Sequence, residues 1–197
     1  ETSEPEPTDT DEPEPEPTDT AAPAPPSEFG GGKIVVGKDA AAGTYRVTAA
    51  VSQACAWVLK PADASRPIRG LIEDVVVGGI PTVTLATGDT FTSSRCGTWS
   101  AVDAGALFAN ADAEVTVSPG VWLVGEDIQP GTYSTADLGS TSDPSKLCKW
   151  TVAESLGDNY TTTILRDVIF SGSGRVALEE GQQFESTNCG SWTKLDK

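Results

Sequence analysis

Val36-Gly37-Lys38-Asp39-Ala40-Ala41-Ala42-Gly43-Thr44-Tyr45 returns later in the chain as Val124-Gly125-Glu126-Asp127-Ile128-Gln129-Pro130-Gly131-Thr132-Tyr133. The residues downstream of each stretch are repeated too. Cys55-Ala56-Trp57 is matched by Cys148-Lys149-Trp150, and each copy closes on Cys-Gly-x-Trp, Cys96 to Trp99 and Cys189 to Trp192. Between these ends Asp74-Val75, Val83, Leu85, Gly88, Phe91 and Ser93 are repeated as Asp167-Val168, Val176, Leu178, Gly181, Phe184 and Ser186. From the first cysteine to the closing tryptophan the copies align without a gap. The second copy has five extra residues between Tyr133 and Cys148, around Gly139 to Ser145. Self-similarity on this scale marks a duplicated structural unit.

Equal cysteine spacing in the two copies points to one disulfide in each, Cys55–Cys96 and Cys148–Cys189. Four cysteines allow three connectivities, and only this one leaves each copy self-contained. Two thiolates per copy and no histidine leave a tetrahedral metal two ligands short, and no CxxC redox pair occurs. A crosslink closing about 40 residues is worth roughly 4 kcal/mol in the chain-entropy account, a large sum for a unit of about 70 residues with a small core. Stable disulfides in turn imply an oxidising compartment.

The apolar segments are short and alternate with period two, as strands do. Ile34–Val36 and Trp122–Val124 open the copies, the Gly-Thr-Tyr segments start second strands, and Trp57–Leu59 and Trp150–Val152 come after the first cysteines. Leu71–Val77 and Ile164–Phe170 are the longest apolar runs. Thr82–Ala86 and Arg175–Glu179 pass through a glycine turn into Phe91–Ser93 and Phe184–Ser186, which reads as a hairpin. The pattern predicts an all-β protein: two tandem copies of a small disulfide-stapled β-sandwich or barrel, about six strands each, after a disordered N-terminal tail. The expected bounds are 1–32 for the tail, 33–103 for repeat 1, 104–119 for a linker and 120–197 for repeat 2.

Of the formal net charge of −16, the tail carries ten acidic residues and no basic one. Its sequence repeats EPEPTDT at 4–10 and 14–20 and holds no large apolar residue before Phe29. Such a segment buries almost nothing on ordering, so an extended, solvated stalk is expected. The repeats have no basic stripe to displace counterions from phosphate, which argues against nucleic acid, and no nucleic-acid partner is expected. The chain starts at Glu1, and any signal or membrane anchor is expected upstream of it. Histidine is absent. Without it there is no Ser-His-Asp or Cys-His nucleophile system and no general base of ordinary pKa near neutrality.

Among candidate functional residues the duplicated acids come first. Asp39 and Asp127 precede a glycine by four residues, and Asp74 and Asp167 interrupt apolar strands. A calcium site or a carboxylate pair for glycoside hydrolysis is weighed against turn capping and hydrogen-bonded burial, which is favoured. No metal, cofactor or catalytic residue is therefore assigned. Trp57, Trp99, Trp150 and Trp192 read as core residues beside the disulfides. Trp122 has Ile34 as its counterpart and is the better candidate for an exposed aromatic that meets a ligand. Where the copies diverge, specificity is expected: Arg66 and Arg69 become Asn159 and Thr162, and Glu73 becomes Arg166.

The pattern VGxDIxPGTY, CxW, TVT and CGxW resembles repeats of uncharacterised exported proteins and lipoproteins of actinobacteria. Copy 2 matches best, and copy 1 departs at Ala40-Ala41-Ala42, which lack the Ile and Pro. The resemblance implies an extracellular or cell-surface location, with lipid anchoring among the options, and carries no catalytic residue over. The function read from all this is a non-catalytic binding or interaction module of the cell envelope, displayed on a stalk, whose partner is a protein or glycan at the cell surface. A carbohydrate-binding module for envelope glycans and the sensor ectodomain of a membrane protein are the alternatives. Non-reducing peptide mapping should recover a Cys55–Cys96 peptide and a Cys148–Cys189 peptide; a Cys55–Cys148 peptide overturns the assignment of one bond to each repeat.

Overall fold

The computed structural model describes residues 26–63, 72–76, 78–103, 107, 113–136, 143, 145–153, 163–169 and 172–195; strands 72–76 and 163–169 are described by their backbone alone. Everything regular in these residues is β. Repeat 1 holds β1 (Glu28–Phe29), β2 (Gly32–Val35), β3 (Gly43–Val47), β4 (Cys55–Lys60), β5 (Ile72–Val76), β6 (Thr82–Leu85), β7 (Thr90–Ser94) and β8 (Trp99–Val102). Repeat 2 holds β9 (Thr116–Val117), β10 (Gly120–Leu123), β11 (Gly131–Thr135), β12 (Cys148–Ala153), β13 (Thr163–Ile169), β14 (Arg175–Leu178), β15 (Gln183–Thr187) and β16 (Trp192–Lys194).

Each repeat is a sandwich of two four-stranded antiparallel sheets. The orders are β1-β8-β3-β6 and β2-β7-β4-β5 in repeat 1, and β9-β16-β11-β14 and β10-β15-β12-β13 in repeat 2. Strand for strand the topologies are the same, so the duplication in sequence is a duplication of fold.

The expected hairpin is absent. β6 pairs with β3 whereas β7 pairs with β2 and β4, so the turn at Gly88 carries the chain from one sheet to the other. Alternation cannot distinguish the two arrangements, because Val83 and Leu85 on one strand and Phe91 and Ser93 on the next face the same core either way. The Val-Gly-x-Asp segment is the second crossing, leading from β2 to β3. The two crossings hold each other: Val36 N–H donates to Asp89 O (2.9 Å) and Gly88 N–H donates to Val36 O (2.9 Å). Repeat 2 does the same between Val124 and the Gly181-Gln182 turn, at 2.9 and 3.0 Å. This mutual bonding accounts for the joint return of both motifs.

Among the described residues each repeat has eight strands where six were expected, and the added ones come from both ends. The closing tryptophans start β8 and β16. β1 and the start of β2 lie inside the stretch assigned to the stalk, and β9 lies inside the stretch assigned to the linker. Phe29 supplies the reason. Its ring sits 4.9 Å from Tyr45, 5.8 Å from Phe91 and 6.4 Å from Trp99, so one apolar side chain draws the end of a polar segment onto the sandwich. In repeat 2 the equivalent pairing puts Val117 opposite Trp192.

The cores form around the tryptophans of the Cys-x-Trp and Cys-Gly-x-Trp motifs. Trp57 and Trp99 meet edge to face at 5.9 Å, and Trp150 and Trp192 at 6.2 Å. All four are buried. The disulfides are Cys55–Cys96 and Cys148–Cys189. Each joins the start of one strand to the residue just past its neighbour, within a sheet rather than across the sandwich. Tyr45 and Tyr133 are fully buried and donate their hydroxyls to the carbonyls four residues back, Ala41 O at 2.8 Å and Gln129 O at 2.7 Å. Burial pushes the Tyr133 hydroxyl up to about 12 and raises that of Tyr45. Both therefore remain protonated donors at neutral pH. Phe29→Ala should lower unfolding free energy by about 2–4 kcal/mol, read by chemical denaturation; an unchanged midpoint contradicts the place of β1 in the fold.

Candidate functional site

The repeats meet along a backbone contact that needs glycine. Ile80 N–H donates to Val121 O (2.8 Å) and Val121 N–H donates to Gly78 O (3.3 Å), which lays the loop before β6 against the outer edge of β10. A Cβ on Gly78, Gly79 or Gly120 would collide with backbone of the other repeat. Val121, a residue of repeat 2, is buried within the core of repeat 1, where Ile80 packs beside it.

Beside this contact lies a charge pair. Arg46 on β3 and Asp127 in the corner after β10 face each other across the boundary. The guanidinium Nη2 reaches both carboxylate oxygens, at 2.7 and 2.6 Å, while Nε donates to Thr82 Oγ1 at 3.1 Å. Glu126 adds a second carboxylate 3.8 Å from Nη1. The side chains of Arg46 and Asp127 are only 9 and 6 % exposed. Burial pushes the Asp127 carboxyl above its ordinary range, and the charge and hydrogen bonds of Arg46 oppose that rise without cancelling it.

Asp127 also explains its own duplication. It accepts the Leu123 N–H at 2.8 Å, as Asp39 accepts the Val35 N–H at 2.8 Å. Both acids cap the corner that starts β3 or β11, the turn role that favoured a structural reading. Asp39 stays at the surface, whereas Asp127 is recruited into the boundary because Arg46 reaches it. Arg46 has Ser134 as its counterpart, so no such pair exists at the equivalent position of repeat 2.

The boundary opens into a cleft of about 500 Å³. Its lining includes the charged Arg46, Glu126, Asp127 and Glu114, apolar surface from Ile80, Val102 and Leu107, and Ser100 and Trp122. Trp122 is half-buried against the core of repeat 2 and donates its indole N–H to Ser118 O at 2.9 Å, which fixes the ring. Of the four ligand-binding candidates in the sequence, Trp122 is brought to this cleft. Arg66 and Arg69 lie outside the described residues. Arg166 is a backbone position on β13, opposite Thr151. Asp74 and Asp167 are likewise described only as the strand partners of Trp57 and Trp150. Asp143 and Ser145, in the longer loop of copy 2, bond each other at 2.7 Å.

A family model for the Rv1352-like extracellular domain matches residues 26–100 and 114–193. The chain belongs to the Rv1352-like extracellular domain family. The matched segments coincide with the two sandwiches and start where β1 and β9 are about to begin, and the family fits the resemblance to exported actinobacterial proteins. As a Rv1352-like extracellular domain the chain functions as a secreted or cell-surface module. No curated protein and no solved structure matches it.

The ion pair at the boundary makes a measurable distinction. Arg46→Met leaves a buried carboxylate without its partner and should cost about 3 kcal/mol at neutral pH. Since the folded-state pKa of Asp127 is raised, that loss should shrink as pH falls through it and the carboxyl takes up a proton. Asp127→Asn keeps the acceptor for the Leu123 N–H but leaves the buried Arg46 guanidinium with Glu126 alone as its carboxylate, so it too should be destabilising at neutral pH. Denaturation of both variants at neutral and mildly acidic pH checks this; equal losses at both pH values contradict it.

Proposed function

We propose that this chain is a non-catalytic binding module of the cell surface and that its ligand enters the cleft between the repeats. The observation that carries the proposal is the lining of that cleft. A tryptophan whose ring is fixed by its own hydrogen bond stands beside carboxylates, a serine hydroxyl and a few apolar side chains, in a hollow of the size that holds small ligands. A cleft formed between two rigid units is also a favoured place for ligands.

The non-catalytic reading draws on the same residues. Asp39 and Asp127, two of the four acids that sequence singles out, are occupied in capping backbone N–H groups, and Asp127 also in pairing with Arg46. The lining sets three carboxylates, Glu114, Glu126 and Asp127, against the single guanidinium of Arg46, so its net charge, and with it the field, is negative. That field disfavours anionic ligands and favours neutral or cationic ones.

Among neutral ligands a glycan fits best, because sugar hydroxyls donate to carboxylates and sugar rings lie against indole. Titration calorimetry of the full chain against a panel of neutral and amino-sugar oligosaccharides tests the reading. Trp122→Ala should weaken binding more than tenfold, the cost of removing a central aromatic anchor, while Trp122→Phe should keep part of it. Binding that ignores Trp122→Ala contradicts the cleft as the site. Failure of every sugar, with a surface protein bound in a Trp122-dependent way, moves the ligand class from glycan to protein.

A further inference from the structure

The contact between the repeats is head to tail, so it leaves one unused half at each end of the molecule. The tail half, on repeat 1, is the Gly78-Gly79-Ile80 loop with Arg46. The head half, on repeat 2, is the Gly120-Val121 edge with Glu126 and Asp127. By the repeat alignment, repeat 2 carries its own tail half at Ser171-Gly172-Ser173 with Ser134, and repeat 1 its own head half at Gly32-Lys33 with Lys38 and Asp39.

Among the described residues of these unused halves, Gly172 and Gly32 keep the positive φ of their counterparts. Gly172 has φ of +79°, against +78° for Gly79, although a Cβ on Gly172 would touch nothing. Gly32 likewise has φ of +123°, against +150° for Gly120, with open space around it. Asp39 caps its corner as Asp127 does. What differs is the side chains. Lys33 stands where Val121 enters the neighbouring core, and Lys38 stands where Glu126 faces the guanidinium. Ser173 replaces Ile80, and Ser134 replaces Arg46. The outward face of β2 is exposed, with Val35 37 % accessible, where its counterpart Leu123 is 2 % accessible.

Head-to-tail contacts that do not close on themselves grow into filaments, and lysine on an exposed strand edge is a common block to such growth. We propose that the β2 edge of repeat 1 and the loop before β14 are the two halves of the same joint, and that Lys33, Lys38 and Ser173 keep a second copy of this chain from closing it. The joint is used once, inside the molecule. A lysine ammonium at position 33 would have to enter an apolar core unpaired, and Lys38 opposite Ser134 offers nothing to replace the attraction of Glu126 to Arg46.

Two full-length variants test this. The head variant carries Lys33→Val and Lys38→Glu; the tail variant carries Ser134→Arg, Ser171→Gly and Ser173→Ile. Each alone should run as a monomer in size exclusion with light scattering, and an equal mixture should shift to the mass of two chains. A variant with all five changes should form longer assemblies. A mixture that stays monomeric while both variants keep the native near-ultraviolet tryptophan signal overturns the proposal. So does self-association of the head variant alone, which would mean symmetric edge pairing. In the native chain, Val121→Lys with Glu126→Lys should open the internal joint and raise the radius of gyration in X-ray scattering, with both disulfides intact; an unchanged radius also overturns it.

Discussion

The hydrogen bond from Ile80 N–H to Val121 O joins two sandwiches that would otherwise be independent. Each repeat has its own core, its own disulfide and its own pair of sheet crossings. The cleft exists only because the loop before β6 lies flat on the edge of β10. That approach is possible because Gly78, Gly79 and Gly120 have no side chains to hold the backbones apart. Once the backbones meet, Val121 is buried in the core of repeat 1 and Arg46 is brought within reach of Asp127.

The forces at this boundary divide their roles. Burial of Val121 and Ile80 supplies attraction without direction. The Arg46–Asp127 pair supplies direction and little net attraction, since the carboxyl is raised rather than lowered by its surroundings. Fixing Asp127 also fixes Glu126 beside it and the corner that leads into β11. The cleft wall is thereby tied to the angle between the repeats.

Much of the architecture was legible in the sequence, for reasons that particular residues make plain. Cysteine spacing pointed to the pairing the structure holds, and period-two alternation gave most of the strands. The sheet assignment of β6 and β7 was not legible, since Val83, Leu85 and Phe91 look alike in a hairpin and in a crossing. β1 was hidden because a two-residue strand has no period and Phe29 comes after a run of Pro, Glu and Ala. Of the candidate site, Trp122 was visible as an aromatic without a counterpart. Arg46 and Asp127 are 81 residues apart, and only the topology brings them together. The mismatch between the copies points to Arg46 all the same, through Ser134. The residues 46, 80 and 121, at which the copies differ, lie at the contact between the repeats, and the cleft lies there too.

The cleft is a built site only if the joint is closed in solution. Amide hydrogen exchange at Ile80 measures this most directly, because its N–H donates across the boundary to Val121 O. With the joint closed, Ile80 should be protected to a degree comparable with the Tyr45 amide in the core strand β3. Exchange of Ile80 at the rate of an open loop, with Tyr45 still protected, would show two sandwiches moving freely and would contradict a cleft held between them.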